Sequence, residues 1–414
     1  MPKDVKVIIV GAGLSGLALA QCLRAHSLSN PGCSLTYELY ERDEGITSRA
    51  QGWTLSLLEC LPGFSGNFPP DMPPLDASVS ATRPACFNSE GRIFNEEGKP
   101  VMTAGGVAQG EPGYFLRADR QALREWLGHK LNIQWNKVFE SYTETASGVH
   151  VRFTDGTTAS GDVLVAADGA SSRVRAQLLG VEDSKQTMPP IALIIGDVKL
   201  NKEQTERQLA LSKAWWLYNA SPPKPKLFVG VRSLQVAADS IIEGGLFFWF
   251  LMWPDTDVPQ QGKKHWLQGA SREEQISKAR DLAKELPELL REVVDASEAS
   301  GVVLPAVQFK EFTPPEKLPR GRVTLLGDAA HAMTPFRGQG ANTAFLGVWD
   351  LTDALFKVET GDIETLEDAL KHYEVEMLPR GRKNMVAAQG AFTKDAKSYA
   401  KDMAERYGRD SQDK

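Results

Sequence analysis

The stretch Val5-Lys6-Val7-Ile8-Ile9-Val10-Gly11-Ala12-Gly13-Leu14-Ser15-Gly16 decides the fold. A mostly apolar run of strand length meets three glycines, and an apolar, helix-periodic stretch continues from Leu14 to Leu28. Strand, glycine turn and helix in that order form a diphosphate cradle. Gly11 allows the tight turn, Gly13 lets the backbone approach the phosphates, and Gly16 lets the helix pack closely. The first helix amides and the positive end of the helix dipole then face the pyrophosphate. Working outward, Leu35, Tyr37 and Leu39 alternate as a second strand that ends at Glu41 and Arg42. A carboxylate there accepts hydrogen bonds from a ribose diol, so the adenosine end of a dinucleotide has a place to sit. A glycine-rich turn that binds nothing is the plain alternative, and the strand, helix and terminal acid together argue against it.

The chain has 414 residues, of which 42% are hydrophobic, enough for two or three structural units with sizeable cores. Its formal charge of −6 is spread over interspersed acids and bases. No basic stripe is available to neutralise a phosphate backbone, which excludes nucleic acid as the main partner. The longest apolar run, Leu246 to Trp253, is well short of a membrane span, and no secretory leader is expected before the first strand. The expectation is a soluble cytoplasmic protein with no membrane partner. Cys22, Cys33, Cys60 and Cys86 lack CxxC spacing and read as buried or incidental thiols, with no metal site.

Further along, Ser48 to Leu55 and the Pro-, Gly- and Ser-rich stretch from Leu61 to Pro74 read as a long surface excursion. Pro84 to Val101 suits short antiparallel strands. Tyr114 to Leu127 carries helical spacing, and Arg117 lies just before that helix, within reach of a phosphate or flavin oxygen or else solvated. Gly148 to Phe153 and Gly161 to Ala166 read as a hairpin turning at Asp155-Gly156. The second of these strands ends in Ala167-Asp168-Gly169-Ala170-Ser171-Ser172-Arg173-Val174-Arg175, whose acid, glycine and hydroxyls repeat the logic of the first cradle.

Ile191 to Trp253 predicts antiparallel sheet with one face exposed. Trp215, Trp216, Phe247, Phe248, Trp249, Phe250 and Trp253 crowd this region, where they line a pocket for a flat apolar substrate or simply fill the core. Ser271 to Leu290 reads as a charged amphipathic helix stopped near Pro287. The run Val323 to Leu326 then ends in Gly327-Asp328, followed by Pro335-x-x-Gly338-Gln339-Gly340-Ala341-Asn342. Asp328 can accept from a polyol chain, and the helix from Ala341 to Phe356 points its positive end at an anion-forming ring. His331 reads as a residue that fixes local structure through hydrogen bonds rather than as a catalyst.

Taken together, the Gly11, Gly13, Gly16 and Glu41 set, the Asp168-Gly169 to Arg175 motif and the Gly327-Asp328 to Gly340 motif resemble the flavoprotein aromatic hydroxylases, the group A FAD-dependent monooxygenases. Gln51-Gly52-Trp53-Thr54-Leu55, with Arg117, looks closest to the tetracycline-inactivating enzymes and to fungal secondary-metabolism relatives. The resemblance implies a discontinuous Rossmann-like FAD-binding α/β domain over 1–75, 112–180 and 311–380. It also implies an inserted antiparallel-sheet substrate domain over 76–111 and 181–310, and a C-terminal helix over 381–414. Gly11, Gly13 and Gly16 would hold the FAD pyrophosphate, Glu41 the adenosine ribose and Arg117 the flavin side, with Arg42 and Gly52 as further cofactor-binding residues. Asp168 would serve FAD and NADPH, Asp328 the ribityl or pyrophosphate portion, and Pro335, Gly338, Gly340, Ala341 and Asn342 the isoalloxazine.

The implied chemistry is reduction of FAD by NADPH or NADH, formation of a flavin hydroperoxide with oxygen, and delivery of one oxygen atom to an aromatic or polycyclic small molecule by hydroxylation or epoxidation. Baeyer–Villiger insertion or oxidative rearrangement stays open, as does a flavin carrier that performs no oxygenation. The catalytic residues are left unassigned: His129, His150, Tyr218 and Arg232 are candidates for a substrate-activating base, each with a ready structural role. A monomer or weak homodimer is expected.

Overall fold

The computed structural model describes residues 4–48, 53–85, 87–257 and 265–407. Four apolar strands and one short edge strand form a parallel sheet in the order Val323–Leu325, Val163–Ala166, Val5–Val10, Leu35–Tyr40, Ile133–Gln134. The strand Val5–Val10 lies at its centre, with Val7, Ile8 and Ile9 fully buried, as a strand covered on both faces must be. The helix Leu14–Ser29 covers one face and packs on the helix Gly340–Thr360. Thus the two glycine motifs, more than 300 positions apart in the chain, feed neighbouring helices.

A second sheet runs in the order Ile191–Asn201, Ile242–Pro254, Lys226–Val236, Trp215–Tyr218, Glu90–Phe94, Pro100–Gly105. It is antiparallel except where Trp215–Tyr218 meets Glu90–Phe94. Neither face is open, which corrects the expectation of an exposed one. Val198, Phe247, Trp249 and Leu251 on one face form a core with Leu209, Ile276, Leu290 and Val293 of the flanking helices, while Ile195, Trp215, Leu217 and Met252 of the other face pack with Phe392, Tyr399 and Met403 near the C-terminus. The charged stretch expected as one helix stopped near Pro287 is two, Arg272–Ala283 and Glu288–Asp295, with Pro287 capping the second.

The hairpin is re-registered. Its partner for Gly148–Phe153 is Thr158–Gly161, and Val163–Ala166 belongs to the parallel sheet. Asp162 is the crossing point: its amide donates to Lys6 O at 2.8 Å and its carboxylate accepts from Lys6 N at 2.8 Å. The expected terminal helix from 381 is also redrawn. Leu366–Ala391 is one helix running through position 381, and a second, Ala396–Arg406, follows it. Among the described residues no helix is long and apolar enough to cross a membrane.

Candidate active site

Gly11 has a φ of +111°, and a Cβ there would lie 2.3 Å from Ala167 O. A Cβ at Gly16 would lie 2.0 Å from Gly11 O, so the turn and the helix are in backbone contact and only glycine fits. Gly13 differs: its nearest neighbour would be 4.0 Å away, and the residue lines a cavity. The helix that starts there has no side-chain cap, and Leu14 and Ser15 of its first turn line the same cavity. The neighbouring helix Gly340–Thr360 also begins without a side-chain cap, and Gly338, Gly340 and Ala341 line the cavity with Pro335. Two helix N-termini therefore open into one space, an arrangement suited to a polyanionic cofactor.

The turn is braced from behind. Glu41, buried at the end of Leu35–Tyr40, accepts from Ala12 N at 2.6 Å through one oxygen and from Asp43 N at 3.0 Å through the other. Its carboxylate is thus tied to the chain's own amides, though each oxygen keeps a second lone pair for a ribose. Arg124 donates to Ala12 O at 3.1 Å and pairs with Asp43 at 3.1 Å, both residues being buried. Sequence reasoning missed Arg124, whose position on an amphipathic helix reads as an ordinary surface cation. Arg42 is exposed beside Glu41, and Gly52 lies outside the described residues.

The segments that carry Asp168 and Asp328 are joined through Arg175. This buried guanidinium donates to Ala329 O at 2.8 Å and to Ala170 O at 2.6 Å, and it sits 4.1 Å from the Phe312 ring centroid. One Asp168 oxygen accepts from Arg173 N at 2.8 Å, while the other is buried without a partner, and burial raises the carboxyl. Gly169 lines the cavity beside it. Asp328 opens onto the cavity, so its side chain counts as exposed even though surrounding protein raises its carboxyl, an effect tempered by Arg120 and Arg175. Asn342 is placed differently from Gly340 and Ala341. It is buried, donates to Ser56 O at 2.8 Å and accepts from Leu58 N at 2.9 Å, stitching the helix start to the strand Thr54–Leu57.

Arg117 lies on the strand Leu116–Asp119, which pairs with Thr54–Leu57. Its guanidinium is buried, lines the cavity and sits 5.5 Å from the Phe228 ring centroid. Burial pulls it down to about 9, with Tyr407 opposing. The cavity, about 470 Å³, continues past it between aromatic walls made by Trp215, Phe228, Phe248, Phe250, Phe309 and Phe392. Trp216, Phe247, Trp249 and Trp253 point to the opposite face and are core. None of His129, His150, Tyr218 and Arg232 lines the cavity, and among the described residues no histidine does. Arg232 pairs with Asp197 at 2.5 Å, and His150 lies 2.8 Å from Ser160 Oγ. His331 is fully buried under Gly381, and burial lowers its imidazole to about 4. Neither ring nitrogen has a hydrogen-bond partner, so it acts by packing and not through the hydrogen bonds expected of it. Cys22 and Cys60 are buried, Cys33 lies beside His26 and Glu359, themselves paired at 2.5 Å, and Cys86 lies outside the described residues.

The residues fit FAD: uncapped helix starts for its diphosphate and ring, a carboxylate facing the cavity for its polyol chain, and an orphaned Asp168 oxygen nearby. The family described as FAD binding domain matches residues 118–388. The FAD-dependent monooxygenase thnD of Trichoderma harzianum is 34% identical over 384 residues, covering 92% of this chain and 91% of that protein. The FAD-dependent monooxygenase dbaB of Emericella nidulans is 30% identical over 366 residues, 81% of this chain and 83% of that one. Among solved structures, Klebsiella pneumoniae HpxO complexed with FAD and uric acid superposes with a TM-score of 0.72 at 19% identity, covering 98% of this chain and 95% of that one. Cradle, cavity and relatives agree, and the chain belongs to the group A FAD-dependent monooxygenases of the aromatic-hydroxylase family.

Proposed function

We propose that this monooxygenase draws electrons from NADPH or NADH and places one oxygen atom of O2 on an aromatic or polycyclic small molecule, by hydroxylation or epoxidation, in secondary metabolism. The observation that carries the reading is continuity: one cavity runs from the two helix starts, past Arg117, into an aromatic-walled chamber. When bound, FAD supplies electron acceptance from the nicotinamide and the activation of dioxygen. The chain's own residues do the rest. Amides at Gly13, Leu14 and Ser15 would face the pyrophosphate, and Asp328 would accept from the polyol. Gly340 and Ala341 would present a positive helix end to charge on the ring. Phe228, Phe248 and Phe250 exclude water and hold a flat substrate by its faces. Residues 76–111 and 181–310 then serve as the substrate domain.

The test is the absorbance spectrum of the purified protein, followed by NADPH oxidation in air with phenolic, indolic and polyketide compounds. The expected result is a flavin spectrum, with one compound class that accelerates NADPH oxidation and gains one oxygen atom by mass. Bound flavin that no nicotinamide reduces would overturn the reading.

A further inference from the structure

The cavity floor is ordered in rows by strand register. On Lys226–Val236 the residues Gly230, Phe228 and Lys226 share one face, since they are two apart. Gly230 lies opposite Trp215 and Phe248, Phe228 opposite Leu217 and Phe250, and Lys226 opposite Met252. Arg117 stands over the first two rows, with Nη2 3.3 Å from where a Cβ of Gly230 would be. Lys226 is therefore the far end of the floor, about 13 Å from Gly230 along the strand. Asn219, which follows the neighbouring strand Trp215–Tyr218, lines the cavity with it.

Both polar residues are out of place in an aromatic chamber. Lys226 is 3% exposed and Asn219 1%, yet both line the cavity. The ammonium donates to Asn219 Oδ1 and to Lys394 O, the latter at 2.9 Å, and lies 5.2 Å from the Phe392 ring centroid. Two of its three N–H groups are thereby used and one is left. Among the described residues no carboxylate forms an ion pair with it. Asn219 Nδ2 has no partner at all. A desolvated cation and an orphaned amide side by side are costly to keep unless a ligand oxygen completes them.

We propose that Lys226 and Asn219 form a polar end-stop that binds an anionic oxygen, phenolate or carboxylate, on the edge of a flat aromatic substrate farthest from Arg117. The inference rests on the reading of the chamber as the substrate site. It adds the substrate's chemistry: a fused aromatic with an acidic oxygen at one end, oriented so that its other end approaches the flavin side. An apolar aromatic of the same size would leave both donors unsatisfied.

The test uses the FAD-loaded protein and three probes of one ring system, naphthalene, naphthol and naphthoate. Dissociation constants are read from quenching of tryptophan fluorescence, since Trp53 and Trp215 line the cavity. Naphthoate and naphthol should bind about tenfold or more tighter than naphthalene. Lys226→Met should erase that preference while naphthalene affinity holds. Asn219→Leu, which keeps the lysine, should reduce it by a smaller factor and serves if the lysine variant does not fold. Equal affinity for all three probes, or a preference that survives both substitutions, overturns the end-stop. NADPH reduction of the flavin is recorded on the same samples. Reduction without oxygen-anion preference defeats the end-stop alone, whereas preference without reduction supports the end-stop and defeats the monooxygenase reading.

Discussion

Arg117 Nη1 donates to Ser56 Oγ at 2.9 Å, and the two residues are register partners across the ribbon formed by Thr54–Leu57 and Leu116–Asp119. Nε of the same guanidinium is buried with no partner, and Ser56 Oγ and the Phe228 face hold the charge at the cavity wall. A buried cation without a carboxylate opposes folding, and its retention points to a role toward a bound group. Arg117→Met keeps the volume and removes the charge. Turnover or FAD retention should fall by about tenfold or more, while the melting temperature of the protein without FAD stays level or rises. A large fall in that melting temperature would mark Arg117 as structural instead. Thermal unfolding and flavin content of the same preparation check this.

The glycines of the first motif should separate folding from cofactor binding. At Gly16 an added methyl meets the Gly11 carbonyl at 2.0 Å, a backbone atom that cannot turn aside. Gly16→Ala should cost about 3 kcal/mol or more and leave little soluble protein. At Gly13 the nearest atom is 4.0 Å away, and the methyl would project into the cavity, into the space proposed for the phosphates. Gly13→Ala should fold with an unchanged melting temperature when FAD is absent and bind FAD about tenfold or more weakly. Titration with FAD after its removal measures this. Equal behaviour of the two variants would contradict the division of labour.

Local chemistry made the cradle legible. The glycine spacing, the strand before it and Glu41 after it are contiguous signals, and the geometry of Gly11 and Gly16 follows from them. Long-range placement was not legible. From Leu246 to Trp253 every residue is apolar, so the sequence carries no period of two to tell the chamber face from the core face. Only the helices behind Trp249 and the open cavity before Phe250 separate them. Asn342 sits inside a motif that suggests ring contact, yet its amide is consumed by Ser56 and Leu58, nearly 300 positions away. Lys226 opens an apolar strand and reads as a solvated terminus; its burial depends on Phe392 and Lys394 from the other end of the chain.

That division of faces is itself testable. Trp249 is fully buried and its indole N–H donates to Ser297 Oγ at 2.8 Å. Trp249→Ala should destabilise by about 3–5 kcal/mol, whatever its effect on activity. Phe250 is half-buried and faces the chamber. Phe250→Ala should cost less stability and raise KM for an aromatic substrate several-fold. Urea unfolding beside steady-state kinetics distinguishes the two, and a stability loss at Phe250 as large as at Trp249 would show that the chamber face is packing.

Stability should also carry a pH signature from Glu374, whose carboxyl is pushed up to about 7 by burial, with Thr324 Oγ1 donating to it at 2.8 Å in partial opposition. The folded-state value lies above the unfolded one, so the folded protein binds more protons between the ordinary carboxylate range and about 7. The stabilising contribution of the protonated acid is complete below the unfolded value and is lost as pH rises through about 7. Glu374→Gln keeps the shape and a hydrogen-bonding group without the titration. At pH values above about 7 the variant should be more stable than the parent, by up to about 3 kcal/mol, and the advantage should shrink as pH falls toward the ordinary carboxylate range. Urea midpoints across that interval read the difference directly. A gain that is constant with pH would assign the effect to packing, and a gain that grows toward acid would reverse the sign of the linkage.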